Sequence, residues 1–169
     1  IRAGANQYPP GRGTAELRQA IAEHQARHYG IELSADTEVL VTTGATEAIA
    51  ATLLALTGPG DEVVVSVMEH HSNIVPWQLL CQRTGATLRW FDITDDGRLD
   101  LDSAREQGLV NERTKVVSLT WVSNVLGTVN PVTELAEMAH AVGAVFVVDG
   151  SQAVPQMPVD VTTLGADLL

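Results

Sequence analysis

The sequence predicts an α/β fold: a mostly parallel sheet with helices on both faces. Two observations predict it. Short apolar runs rich in β-branched residues and bounded by Gly, Asp or Thr alternate with stretches of helical period. In addition, the run Val145-Phe146-Val147-Val148 is apolar without interruption, as expected of a strand covered on both faces.

Helical period predicts a first helix over 14–28, which Thr14 can cap, with Glu16 in its first turn. The run 38–44 (EVLVTTG) reads as a strand that leads into a helix over 46–57. Gly58-Pro59-Gly60-Asp61 is a turn that returns the chain to the sheet. Further strands are expected at 61–67, 86–93, 115–123 and 144–149, separated by helices over 73–84, 100–108 and 132–142. Pro131 suits the first turn of the last of these helices, and Gly143 follows its end. A short helix is expected at 161–164. Beyond it, Gly165-Ala166-Asp167 opens another apolar run, of which Leu168 and Leu169 are the first residues. A buried strand rarely ends after its first residues, so truncation inside a larger fold is expected.

A chain of 169 residues predicts a single domain, 1–169, that can bury a core without a disulfide or metal staple. The 45% apolar and 18% charged residues exclude a disordered tail or a fibrous repeat. No apolar run approaches the roughly 20 residues of a membrane span. The segment IRAGANQYPPG lacks the apolar core of a signal peptide, so a cytoplasmic protein is expected. Cys81 is the only cysteine. The net charge is −11, and the basic residues are scattered, so neither nucleic acid nor an anionic membrane is an expected partner.

In an open parallel sheet, ligands bind beyond the carboxyl ends of the strands. Gly44-Ala45-Thr46 follows one strand and opens a helix; it reads either as a phosphate cradle or as an ordinary helix cap. Glu69, His70, His71 and Ser72 follow the next strand. The histidine pair suits stacking, acid–base work or a plain polar loop. Ser123, Asn124 and Gly127 follow a third, and Asp149, Gly150, Ser151 and Gln152 a fourth. Asp149 emerges from a buried strand, where a cationic ring nitrogen would be a suitable partner and a loop-capping role an equal alternative. His24 and His28 share a helix face but lack a third ligand and read as solvated. His140 sits late in a helix, where it complements the dipole. Asp92, Thr94, Asp96 and Gly97 echo a calcium loop, yet Ser103 stands where a bidentate Glu is needed, so a turn is expected. Cys81 reads as buried packing.

Longer motifs carry a resemblance. Residues 58–169 resemble the SUF-type, class V cysteine desulfurases, which are pyridoxal-5′-phosphate (PLP) enzymes of fold type I. The matching segments are Glu69-His70-His71-Ser72-Asn73-Ile74-Val75-Pro76-Trp77-Gln78, Ser123-Asn124-Val125-Leu126-Gly127-Thr128 and Asp149-Gly150-Ser151-Gln152-Ala153-Val154-Pro155. Residues 1–56 are more similar to class I aminotransferases of the succinyldiaminopimelate type, through Asn6-Gln7-Tyr8-Pro9-Pro10-Gly11 and Val41-Thr42-Thr43-Gly44-Ala45-Thr46-Glu47-Ala48-Ile49. The double resemblance implies a partial fold type I large domain and a chimera, natural or engineered, with its junction near 55–60.

The resemblance also implies roles. Ala45 and Thr46 would hold the PLP phosphate. His70 would be catalytic, stacking on the ring and shuttling protons. Asp149 would pair with the ring nitrogen, Gln152 with the phenolic oxygen, and Asn124 would lie toward the substrate carboxylate. Tyr8 would reach the phosphate of a neighbouring subunit, which implies a homo-oligomer acting on a small amino acid. The family's Schiff-base lysine and nucleophilic cysteine match no residue here: Lys115 stands at the start of a strand and Cys81 in a helix. PLP is therefore expected to bind noncovalently at best. Three functions follow: a desulfurase-like protein inactive as this chain alone, an aminotransferase-like activity, or a non-catalytic fold fragment.

Overall fold

The computed structural model describes residues 11–42, 51 and 54–169. The chain divides into two compact units, Ile1–Thr52 and Leu53–Leu169. In the first, helix α1 (Ala15–Tyr29) starts where expected: the Thr14 hydroxyl accepts from the Leu17 amide at 3.3 Å. Gly30, at φ 67°, ends it in a left-handed turn that suits a residue without Cβ. The Arg18 guanidinium donates to the Ala35 carbonyl and lies 3.3 Å from the Asp36 carboxylate, and Arg12 donates to the Asp36 carbonyl.

The strand expected at 38–44 does not form over 38–42, and 43–44 lie outside the described residues. Val41 donates one backbone bond, to the Arg12 carbonyl at 3.3 Å, in place of a ladder. β-branched composition supplies a preference for extended backbone; a strand also needs a partner. Most of the helix expected at 46–57 also lies outside the described residues, and residues 51 and 54–56 are helical.

The second unit is a four-stranded parallel sheet. Its strands are β1 (Glu62–Ser66), β2 (Thr87–Phe91), β3 (Thr114–Thr120) and β4 (Val145–Asp149), in spatial order β2-β1-β3-β4. Helices α2 (Val75–Thr84), α3 (Leu101–Glu106) and α4 (Val132–Ala141) make the crossovers, and α5 (Val161–Leu164) follows β4. These elements match the sequence expectation to within a few residues at their ends. The main difference is at 71–73, where a 3₁₀ turn precedes α2.

Strand alternation sorts the core into two layers. Val63, Val65 and Val116 pack against Trp77, Leu80 and Cys81 of α2. Val64, Val117, Leu119, Phe146 and Val148 pack on the other face against Leu135, Ala136 and Ala139 of α4 and Ala104 of α3. All five residues of β1 are buried, as a central parallel strand requires. β4 is covered less evenly: Phe146 and Val148 are buried, whereas Val145 and Val147 are partly exposed. The expected apolar run at 168–169 begins a parallel pairing with β4, where Val148 donates to the Leu168 carbonyl at 2.9 Å. Asp167 anchors that pairing by accepting from the Phe146 amide at 2.7 Å and His140 Nε2 at 3.0 Å.

At the amino-terminal end of the sheet, Glu62 is buried among donors. Arg89 Nη1 lies at 2.9 Å, Asn111 Nδ2 at 2.7 Å and Arg113 Nη2 at 2.6 Å. Burial works against the charge, but these donors outweigh it and hold the carboxyl below its ordinary value of 4.5. A carboxyl whose pKa is lowered on folding contributes stability above its unfolded pKa and loses it as pH falls through the folded value. Glu62→Gln should therefore cost about 3 kcal/mol at neutral pH, since two guanidinium groups lose their counter-charge. It should also flatten the fall in unfolding free energy below about pH 4.5, measured by urea denaturation across that range.

Candidate active site

The chain order of the sheet reverses between β1 and β3. β1 connects outward to β2 on one side, and the chain then crosses to β3 on the other. In open parallel sheets the loops that leave the carboxyl ends of two strands at such a reversal diverge, and ligands are usually held between them. Ser66, Thr120 and Asp149 are the last residues of β1, β3 and β4. Register sets Asp149 directly beside Thr120, and the Asp149 carbonyl accepts from the Trp121 amide at 3.0 Å.

Asp149 is partly exposed, and its Oδ1 accepts from the Ser151 amide at 3.0 Å. This is the loop-capping bond expected of an Asp-Gly turn, and it occupies only one of the two carboxylate oxygens. Both sequence alternatives for Asp149 are thus compatible with its geometry. His70 is partly exposed and caps the 3₁₀ turn His71–Asn73: its Nδ1 accepts from the Ser72 amide at 3.3 Å and lies 2.7 Å from the Ser72 hydroxyl. A backbone amide can only donate, so the neutral ring carries its proton on Nε2. The His71 ring centroid lies 4.0 Å away.

Asn124 and Gln152 are exposed, and neither hydrogen-bonds to Asp149 or His70. Asn124 stands on a turn between Val122 and Val129, held by the Ser123 hydroxyl, which accepts from the Leu126 amide at 3.1 Å. Gln152 Oε1 accepts from Gln156 Nε2 at 3.1 Å, which leaves its own amide N–H groups to donate elsewhere. Tyr8, Ala45 and Thr46 lie outside the described residues. Lys115 is exposed at the start of β3, at the end of the sheet opposite His70 and Asp149. Cys81 is buried in α2, and burial raises its thiol pKa, which suits packing rather than nucleophilic attack.

A buried polar network that the sequence reading assigned no role underlies this end of the sheet. Ser66 Oγ donates to Glu69 Oε1, and Asn73 Nδ2 donates to Glu69 Oε2 at 2.7 Å. Asn73 Oδ1 in turn accepts from Trp77 Nε1 at 2.9 Å and Ser118 Oγ at 2.7 Å. The network ties β1, the loop after it, α2 and β3 together. Burial raises the Glu69 carboxyl above its ordinary pKa, its hydrogen bonds partly offset that, and the nearby Asp149 charge adds to the rise. The signal that could have found it is spacing. Ser66, Glu69, Asn73 and Trp77 recur at intervals of three and four residues across the strand-to-helix passage.

The fold is the fold type I architecture of PLP-dependent enzymes, of which this chain forms a partial domain. The family profile described as "Aminotransferase class-V" matches residues 14–169, across the 55–60 segment. The chain belongs to this family. It is 59% identical to a probable cysteine desulfurase of Streptomyces coelicolor over 108 residues, 64% of this chain and 25% of the relative. A cysteine desulfurase of Klebsiella pneumoniae is 45% identical over 159 residues, covering 90% of this chain and 38% of the relative. Among solved structures, an Escherichia coli cysteine desulfurase superposes with TM-score 0.67 at 32% identity, over 90% of this chain and 39% of that one. The N-succinyldiaminopimelate aminotransferase of Mycobacterium tuberculosis superposes with TM-score 0.63 at 38% identity, over 89% and 39%. The chain thus spans a quarter to two fifths of the length of these relatives. No helix among the described residues is long and apolar enough to cross a membrane.

Removing the hub of the buried network should be costly. Asn73→Ala strands the Trp77 N–H, the Ser118 hydroxyl and one Glu69 oxygen, so a loss of about 3 kcal/mol in unfolding free energy is expected from denaturant titration.

Proposed function

We propose that this chain supplies the cofactor face of a PLP-dependent cysteine desulfurase. The observation that carries the reading is the placing of Asp149, which ends β4, and the Glu69-His70 loop, which follows β1, at the same carboxyl end of the parallel sheet on either side of β3, near enough for the Asp149 charge to act on Glu69. The donor set fits the cofactor. A carboxylate oxygen remains for a protonated ring nitrogen, an imidazole stands on the loop after β1, and the Gln152 amide has N–H groups to give to a phenolic oxygen. PLP, when bound, supplies an electron sink for charge leaving the substrate's α carbon. Asp149 would keep the proton on the ring nitrogen. His70 would stack on the ring and hold or move a proton at Nε2. Asn124 would orient the carboxylate of an amino acid such as L-cysteine, and Ala45 and Thr46 would bind the phosphate. Tyr8 would contribute from one subunit to the phosphate of its neighbour, so a homo-oligomer is part of the proposal.

The one lysine of these 169 residues, Lys115, stands at the far end of the sheet. A protein of these residues alone should accordingly hold PLP noncovalently and release no sulfur from cysteine above the level of free PLP. A second reading, amino transfer between an amino acid and a keto acid, is favoured by the 38% identity to the M. tuberculosis aminotransferase. It predicts a pyridoxamine form on incubation with glutamate, which the first reading does not.

Visible circular dichroism during PLP titration tests the site. Free PLP is achiral, so an induced band reports an ordered, asymmetric pocket. Wild-type protein should give the band, and Asp149→Ala should weaken PLP affinity about 10- to 100-fold, the range for losing a charged hydrogen bond. A folded wild-type protein with no band would leave the family's scaffold without its cofactor and overturn the reading.

A further inference from the structure

We propose that Glu69 is a positioning residue: held by Ser66 and Asn73, it locks the loop after β1 against β3 and so sets the position of His70. The proposal rests on the cofactor site described under Proposed function, but not on any step of turnover. Glu69 is 7% exposed, although its neighbours His70 and His71 reach solvent. A carboxyl is buried at such cost only where donors are built around it. Here they come from three elements. Ser66, at the end of β1, is fully buried and donates to one oxygen; Asn73 donates to the other; the Thr120 backbone at the end of β3 adds a third.

The consequence falls on His70. Asn73 is the last residue of the 3₁₀ turn that His70 caps, and its amide donates to the His70 carbonyl at 2.8 Å. Its side chain is anchored at one end to Glu69 and at the other to Ser118, which is fully buried in β3. The turn is thus fixed to the sheet through side chains, since no strand pairing reaches it. Without Glu69, Asn73 keeps only its β3 and α2 partners. The 71–73 turn is then free to shift, and the imidazole shifts with it. Errors of an ångström in such placement are worth up to about a hundredfold.

Three measurements on the whole chain test this. The first is the side-chain ¹⁵N resonances of His70 in protein without PLP. The second is hydrogen exchange at the Ser72 and Asn73 amides. The third is PLP affinity from the induced dichroic band. Glu69→Ala should move the His70 resonances toward tautomer averaging, speed exchange at 72–73 about tenfold relative to Val64 and Val117, and weaken PLP about tenfold. Glu69→Gln has the same shape, and rotation of the Ser66 hydroxyl lets it accept the amide proton; it should keep all three values within about twofold. Should Glu69→Ala fail to fold, Ser66→Ala removes one anchor and should move the same signals in the same direction. A folded Glu69→Ala protein with wild-type His70 resonances overturns the proposal, and so does a Glu69→Gln protein as impaired as Glu69→Ala. A wild-type protein that binds no PLP would defeat the cofactor reading alone, because the resonance and exchange measurements still decide the role of Glu69.

Discussion

The structure of the second unit depends on the pairing of β1 with β3, two strands with no solvent on either face over their apolar centres. Val63 and Val65 of β1 and Val116 of β3 meet α2 on one side; Val64, Val117 and Leu119 meet α3 and α4 on the other. Once both faces are covered, the polar groups near the strand ends must find partners within the protein, because an unpaired buried polar group costs about 1–3 kcal/mol. The amino-terminal end meets this demand with Glu62, two arginines and an asparagine. The carboxyl-terminal end meets it with Ser66, Glu69, Asn73 and Ser118.

The two solutions differ in a way that bears on function. Arg89 and Arg113 balance the charge of Glu62, whose carboxyl pKa is lowered. Glu69 has neutral donors and faces another carboxylate, Asp149; its pKa is raised. A buried carboxyl with neutral donors and a like charge nearby is unfavourable to folding, and a perturbed group of this kind is commonest at sites that bind or react. The structural end of the sheet is electrostatically satisfied, whereas the end where chain order reverses retains acceptor capacity.

Much of this was legible beforehand. Apolar runs and Gly or Pro punctuation located β1 to β4 and α1 to α5 within a few residues, because each of those elements agrees with its local preference. The carboxyl end of the sheet was legible through Asp149 and His70, polar residues at or just beyond the ends of apolar strands. The exception was 38–44, whose β-branched residues matched a strand while residues 38–42 formed none. Glu69 was visible as a member of a motif, but its burial was not. A carboxylate beside two histidines that reach solvent looks like loop surface until a strand 49 residues further on, bearing Ser118, closes over Asn73.

The sequence by itself determined the class of fold, the order of elements and the positions at which polar residues leave the strands. These follow from periodicity and turn chemistry, which act over a few residues. Tertiary structure decided the strand order β2-β1-β3-β4, the setting of Asp149 beside Thr120, and the enclosure of Glu69. Those depend on which distant strands pair and which faces are covered. Burial and hydrogen-bond partners, and hence the ionisation of a carboxyl, are properties of that packing rather than of any local segment.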